Sequence, residues 1–107
     1  MATACRARAR TLHAVAAAAA DGLPLGPDAD RDATRAALLA IPGIGTWTTE
    51  DVALRALGDP DAFPSGDLVL QRALGVRSAR LACERARTWR PRRGYALLHL
   101  WTQEDFA

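Results

Sequence analysis

Leu38-Leu39-Ala40-Ile41-Pro42-Gly43-Ile44-Gly45-Thr46-Trp47-Thr48 decides how the rest of the chain is read. The apolar, alanine-rich run that leads into it reads as helix. Pro42 stops that helix, because proline lacks an N–H donor and biases the residue before it away from helical angles. Gly43 and Gly45 then supply two positions without a side chain, where the backbone turns tightly and approaches another molecule closely. Thr46 is placed to cap a following helix that runs from about Trp47 to Leu57, and Ile44 sits between the glycines as an apolar plug. Residues 38–50 therefore read as helix, glycine-bracketed hairpin, helix. Backbone N–H groups at such a corner, beside a helix N-terminus, suit a phosphate.

The whole sequence has 107 residues, at most one small domain. Half the residues are hydrophobic but only 6% are aromatic, so a core must be built from Leu, Val and Ala, which favours close helix packing. A formal net charge of +2 says little about partners. The kind of cation says more: all 14 basic residues are arginine, which pairs bidentately with phosphate, and a chain without lysine excludes lysine Schiff-base chemistry. Cys5, Cys83 and two histidines have no metal-type spacing and make no disulfide framework, and two reduced thiols fit a cytoplasmic protein. Cys5 to Arg10 followed by Ala14 to Ala20 superficially resembles a secretory signal. Alanine is only weakly hydrophobic and His13 interrupts the approach, so a basic, alanine-rich helix is the better reading. No segment is apolar and long enough to span a membrane.

Along the chain, residues 6–20 read as a first helix, ended by Asp21-Gly22, and the Pro24–Pro27 region as loop. Asp28 or Asp30 caps a second helix through Leu39, with Ala33, Ala36, Ala37 and Ala40 as a narrow packing face. Val52, Ala53, Ala56 and Leu57 give the third helix its buried stripe. Gly58 to Asp61 signals a turn, and the loop from Ala62 to Gly66 delivers Asp67 to a short helix, Leu68 to Leu74. Ser78 caps a further helix, with Leu81 and Ala82 inside and Arg80, Arg85 and Arg87 outside. Pro91 suits the first turn of a last helix with Tyr95, Leu98 and Trp101 on one face. No strand pattern occurs, and the reading is all-α with about six helices.

Pro42-Gly43-Ile44-Gly45 resembles the helix-hairpin-helix motif of DNA-binding proteins. Ile41-Pro42-Gly43-Ile44-Gly45-x-Trp47-Thr48, Val52-Ala53-Leu54-Arg55 and Asp61-x-Phe63-Pro64-x-x-Asp67 together resemble the helix-hairpin-helix glycosylase (HhH-GPD) superfamily. Trp89-x-Pro91-x-Arg93-x-Tyr95-Ala96-x-x-His99-Leu100-Trp101 narrows the resemblance to the DNA-3-methyladenine glycosylase II family. The four blocks fall in order between Ile41 and Trp101, and the resemblance they carry is to the carboxy-terminal portion of that catalytic domain, extending over essentially all of residues 1–107. The missing amino-terminal half, which carries the side chain that wedges into the gap left by a flipped base, is then an expected partner.

The resemblance implies that Asp67 is the catalytic carboxylate of an N-glycosidase acting on alkylated bases in double-stranded DNA. It places Trp47, Trp101, Asp51 and Leu68 at the base pocket, where indole faces suit a cationic alkylated base. It places Gly43, Ile44, Gly45, Thr46, Thr48 and Arg72 on DNA phosphates. Bifunctional relatives have a lysine where Trp47 stands, so a monofunctional enzyme is implied. No cofactor is implied beyond a monovalent cation on the carbonyls of Leu39, Ile41 and Ile44. Trp89 reads as core, and Tyr95 and His99 as packing and hydrogen-bonding residues. Two departures stand out: Thr49 replaces a frequent small alanine, and Asp51 stands where the family often has an aromatic. That extra carboxylate either favours a cationic base or faces solvent. The reading from a different class is a non-catalytic module that binds DNA backbone, which needs neither Asp67 nor the tryptophans.

Overall fold

A computed structural model describes residues 2–103, and over these the chain forms six α-helices and no strand. They are α1 (Ala2–Ala20), α2 (Arg31–Leu39), α3 (Thr46–Arg55), α4 (Leu68–Leu74), α5 (Ala79–Ala86) and α6 (Arg93–Gln103). A 3₁₀ turn at Arg87–Trp89 follows α5. α1 starts nearer the amino terminus than the expected residue 6.

Side-chain caps set three of the helix starts. Asp30 accepts from the Ala33 N–H, Asp67 from the Leu70 N–H and Ser78 from the Leu81 N–H. α3 corrects the expectation for Thr46, which is the first residue inside the helix rather than its cap. Gly45 holds the extended cap conformation and has no side chain to accept a first-turn N–H, so Thr46 comes one residue too late. The N–H and the hydroxyl of Thr49 both donate to the Gly45 carbonyl, at 3.1 and 2.8 Å, which ties the first turn to that residue.

Phe63, Leu70, Leu74, Ala82, Ala86 and Leu97 form the main core, with Trp89, Leu100 and Trp101 packed against it. A second cluster of Ala53, Leu57 and Ala62 lies beside it, and Leu54 touches both. The alanine face expected on α2 is exposed at all four positions; Thr34 and Leu38, one turn apart, are buried instead. Alanines bury little area each, so Leu38 and the ion pairs of Arg35 set which way this helix faces. α6 is rotated similarly. Gly94 and Leu97 are buried with Trp101 beside them, whereas Tyr95 and Leu98 face outward and neither Tyr95 nor His99 packs inside. The Arg90–Pro91 peptide is cis and α6 begins only at Arg93, so Pro91 precedes the helix rather than opening it.

Two close approaches fix the frame. Gly43 has φ +95°, and the space a Cβ would take is filled by Thr11 of α1, whose hydroxyl contacts the Pro42 carbonyl at 3.0 Å. Gly94 donates to the Pro60 carbonyl at 2.8 Å, and a Cβ there would stand 2.7 Å from that oxygen and from Leu54 Cδ1. Gly94→Ala is therefore expected to lower stability by about 1–3 kcal/mol in denaturant titration, through overpacking against backbone. An unchanged midpoint would show that α6 is not seated against Pro60 in this way.

Candidate active site

Charged side chains hold the loop from Gly58 to Asp67 in place. Arg35 of α2 donates to Glu50 Oε2 at 2.7 Å and to Asp59 Oδ2 at 2.6 Å. Glu50 in turn accepts from the Phe63 N–H at 3.1 Å, and Asp59 from the Asp61 N–H at 2.9 Å. Burial lowers the Arg35 pKa, but the hydrogen bonds and charges of Glu50 and Asp59 outweigh it and leave it above the ordinary value. Two residues after Asp59, Arg93 grips Asp61 with a two-pronged contact of 2.9 and 3.0 Å, and its own N–H adds a third bond at 3.1 Å. The same guanidinium lies 5.4 Å from the centroid of the buried Phe63 ring. Burial pushes the Asp61 carboxyl up, yet the Arg93 hydrogen bonds, with the charges of Arg93 and Arg90, hold it below its ordinary value.

This braced loop ends at Asp67, whose carboxylate receives three N–H donors. Trp47 Nε1 of α3 donates to Oδ1 at 2.9 Å; Trp101 Nε1 of α6 and the Leu70 N–H donate to Oδ2 at 3.0 and 2.9 Å. The acid is thus both the cap of α4 and the meeting point of two indoles, and it cannot rotate without breaking a bond. Beside it opens a cleft of about 370 Å³ lined by Trp47, Asp51, Arg55, Asp67, Val69 and Trp101. Because both indole edges are committed to Asp67, their faces are what they can offer a ligand.

Of the expected pocket residues, Asp67, Trp47, Trp101 and Asp51 line this one cleft; Leu68 does not. It is 74% exposed, and Val69 takes its place. The step of about 100° per helical residue separates these neighbours and turns Leu68 away from the cleft that the resemblance implied for it. Gly43, Ile44 and Thr48 border a different groove, of about 420 Å³, together with Arg8, Thr11 and Leu12 of α1. Gly45 and Thr46 are exposed at the start of α3, where the first-turn N–H groups have no intrahelical partner. Arg72 is exposed in the last turn of α4. The Ile41 carbonyl accepts from the Ile44 N–H at 3.1 Å, while those of Leu39 and Ile44 accept no backbone bond among the described residues. The Arg35–Glu50–Asp59 cluster escaped sequence reading because its members lie 15 and 24 positions apart with no motif spacing. Asp61 and Arg93 stand inside the quoted blocks, and only their pairing was missed.

Over 102 residues the chain is 48% identical to the "Probable bifunctional transcriptional activator/DNA repair enzyme AlkA" of Mycobacterium tuberculosis, covering 91% of this chain and 21% of that protein. It is 39% identical over 101 residues to the "DNA-3-methyladenine glycosylase 2" of Escherichia coli, covering 92% of this chain and 36% of that protein. The chain thus spans well under half the length of these relatives. No family model and no solved structure matches it.

The Asp61–Arg93 clamp makes stability depend on acid. A carboxyl held below its unfolded value of 3.8 contributes in full above that value and loses its contribution as pH falls through the lower folded one. Asp61→Asn is expected to be less stable than the parent at about pH 7 and to converge with it at about pH 2. Urea titrations across that range check this; a difference constant with pH would mean the clamp is not ionic.

Proposed function

Related by sequence to the DNA-3-methyladenine glycosylase II family over 91–92% of its length, this chain, we propose, carries the catalytic corner of a monofunctional DNA glycosylase. The reaction is hydrolysis of the N-glycosidic bond of alkylated bases such as 3-methyladenine in duplex DNA. One observation supports this reading above others: a carboxylate fixed by two indole N–H groups at the mouth of a cleft those indoles line. Backbone binding alone requires no such arrangement.

The chemistry follows from what each group offers. A nucleotide flipped from the duplex presents its base to the cleft and its sugar to Asp67. An N-alkylated purine already carries positive charge, so it leaves with the C1′–N bonding pair without first being protonated. The sugar becomes oxocarbenium-like, and Asp67 stabilises that charge and accepts the proton of the water that bonds to C1′. Three donors hold the carboxylate in place beforehand, so little reorganisation is needed as charge develops. The faces of Trp47 and Trp101 stack on the cationic base, with about 0.5–2 kcal/mol for each such contact. With Trp47 in the hairpin and no lysine in the sequence, no lysine amine is present to form an imine with C1′.

The free N–H groups of Gly43, Gly45, Thr46 and Thr48 take a backbone phosphate, and Arg72 adds a second contact, positioning the strand without reading its sequence. A monovalent cation on the carbonyls of Leu39, Ile41 and Ile44 would brace the same hairpin; the two unengaged carbonyls fit such a role. The remaining helices of the catalytic domain, absent from residues 1–107, complete the site and supply the residue that fills the gap in the duplex. The reading places the protein in the cytoplasm, with the DNA.

Release of 3-methyladenine from alkylated duplex tests this, with the rest of the domain supplied in the same or a separate polypeptide. Asp67→Asn is expected to lower the single-turnover rate by about a hundredfold or more. Duplex affinity should change by less than about threefold, since positioning contacts are untouched. Release at the parental rate by Asp67→Asn removes the assignment.

A further inference from the structure

The cleft contains a second carboxylate to which hydrolysis assigns no task. Trp47, Asp51 and Arg55 follow one another at single-turn spacing along α3, and all three line the cleft. Asp51 Oδ1 accepts from Arg55 Nε at 2.9 Å, whereas its Oδ2 accepts no hydrogen bond among the described residues. The Asp51 side chain is 24% exposed and that of Arg55 is 61% exposed. The acid is therefore the sheltered member of the pair and the guanidinium the exposed one. Together with Asp67 the cleft has two carboxylates against one cation, and two indoles line it. Such a space has a negative excess and flat apolar walls, which suits a planar cation.

We propose that Asp51 selects for charge in this cleft, with Arg55 as a displaceable counter-ion. A base carrying formal positive charge takes the place of the Arg55 guanidinium at Asp51; a neutral base of similar shape leaves the pair closed and gains nothing from it. The proposal rests on the glycosylase reading for the identity of its ligand, but not on the hydrolytic step. It predicts opposite effects for two neighbouring substitutions. Asp51→Asn removes the attracting charge and leaves Arg55 at the cleft mouth. Arg55→Gln leaves Asp51 uncompensated. An ordinary surface pair on a helix would change stability slightly and ligand choice not at all.

Two measurements decide it. Quenching of tryptophan fluorescence by 1-methyladenosine, a cation near neutral pH, is compared with quenching by its neutral isomer N6-methyladenosine. The preference for the cation is expected to fall about threefold or more in Asp51→Asn and to rise in Arg55→Gln. In the excision assay, the ratio of 3-methyladenine to hypoxanthine release should move in the same directions. Unchanged ratios in both variants, with melting preserved, overturn the proposal while leaving the Asp67 assignment standing. Absent excision with the quenching preference intact sinks that assignment and leaves this one. Equal quenching by the two nucleosides in the parent chain, or none, overturns it as well.

Discussion

Asp67 takes hydrogen bonds from an indole on α3, an indole on α6 and the backbone at the start of α4, and on this convergence the rest of the arrangement depends. A carboxylate has no donors of its own when ionised, so three N–H groups satisfy it without competition. The same bonds orient the two rings. Both Nε1–H groups point at the acid, and both rings line the cleft. Positioning of charge and shape of the pocket are thus one feature, so loss of the acid would leave two indole N–H groups without their partner as well as removing a charge.

Holding that acid still is the task of side chains with no part in the chemistry. The segment before it, Ala62 to Gly66, has no regular structure, and a loop of this kind keeps a fixed course only if its polar groups are engaged. Glu50 takes the Phe63 amide, Asp59 takes the Asp61 amide, and Asp61 is clamped by Arg93. Arginine suits these positions because a planar guanidinium can engage two carboxylates, as Arg35 does, or both oxygens of one, as Arg93 does. In a chain without lysine, part of the arginine content is therefore structural; on α5 the exposed Arg80 pairs only within its own helix, with Glu84 at 2.8 Å.

Much of this was legible in the residues. The hairpin shows itself because Pro42 and the two glycines act locally, through backbone angles. The all-α class follows from composition and the lack of a strand pattern, whereas Asp67 at the head of a helix reads locally as a cap and is singled out only by the family resemblance. What was not legible required tertiary knowledge. The Arg35 cluster joins three elements at separations no local rule encodes. The alanine face of α2 and the Tyr95–Leu98 face of α6 were periodic enough to suggest burial, but periodicity alone does not say which stripe of a helix meets a partner. Leu38 in one case and the close seat of Gly94 on Pro60 in the other decided it. Leu68 and Thr46 were each displaced by a single position, and in a helix one residue is enough to move a side chain to another face.

The central claim is that Asp67 faces positive charge developing on a sugar. The most direct measurement is the affinity of the protein, with its complete catalytic domain, for two duplexes that differ at one site. One carries a pyrrolidine in place of the sugar, cationic at neutral pH, and the other the neutral tetrahydrofuran. The account predicts tighter binding of the cationic duplex by about a hundredfold or more, with the difference largely abolished in Asp67→Asn. Equal affinities, or a preference that survives the substitution, would contradict it.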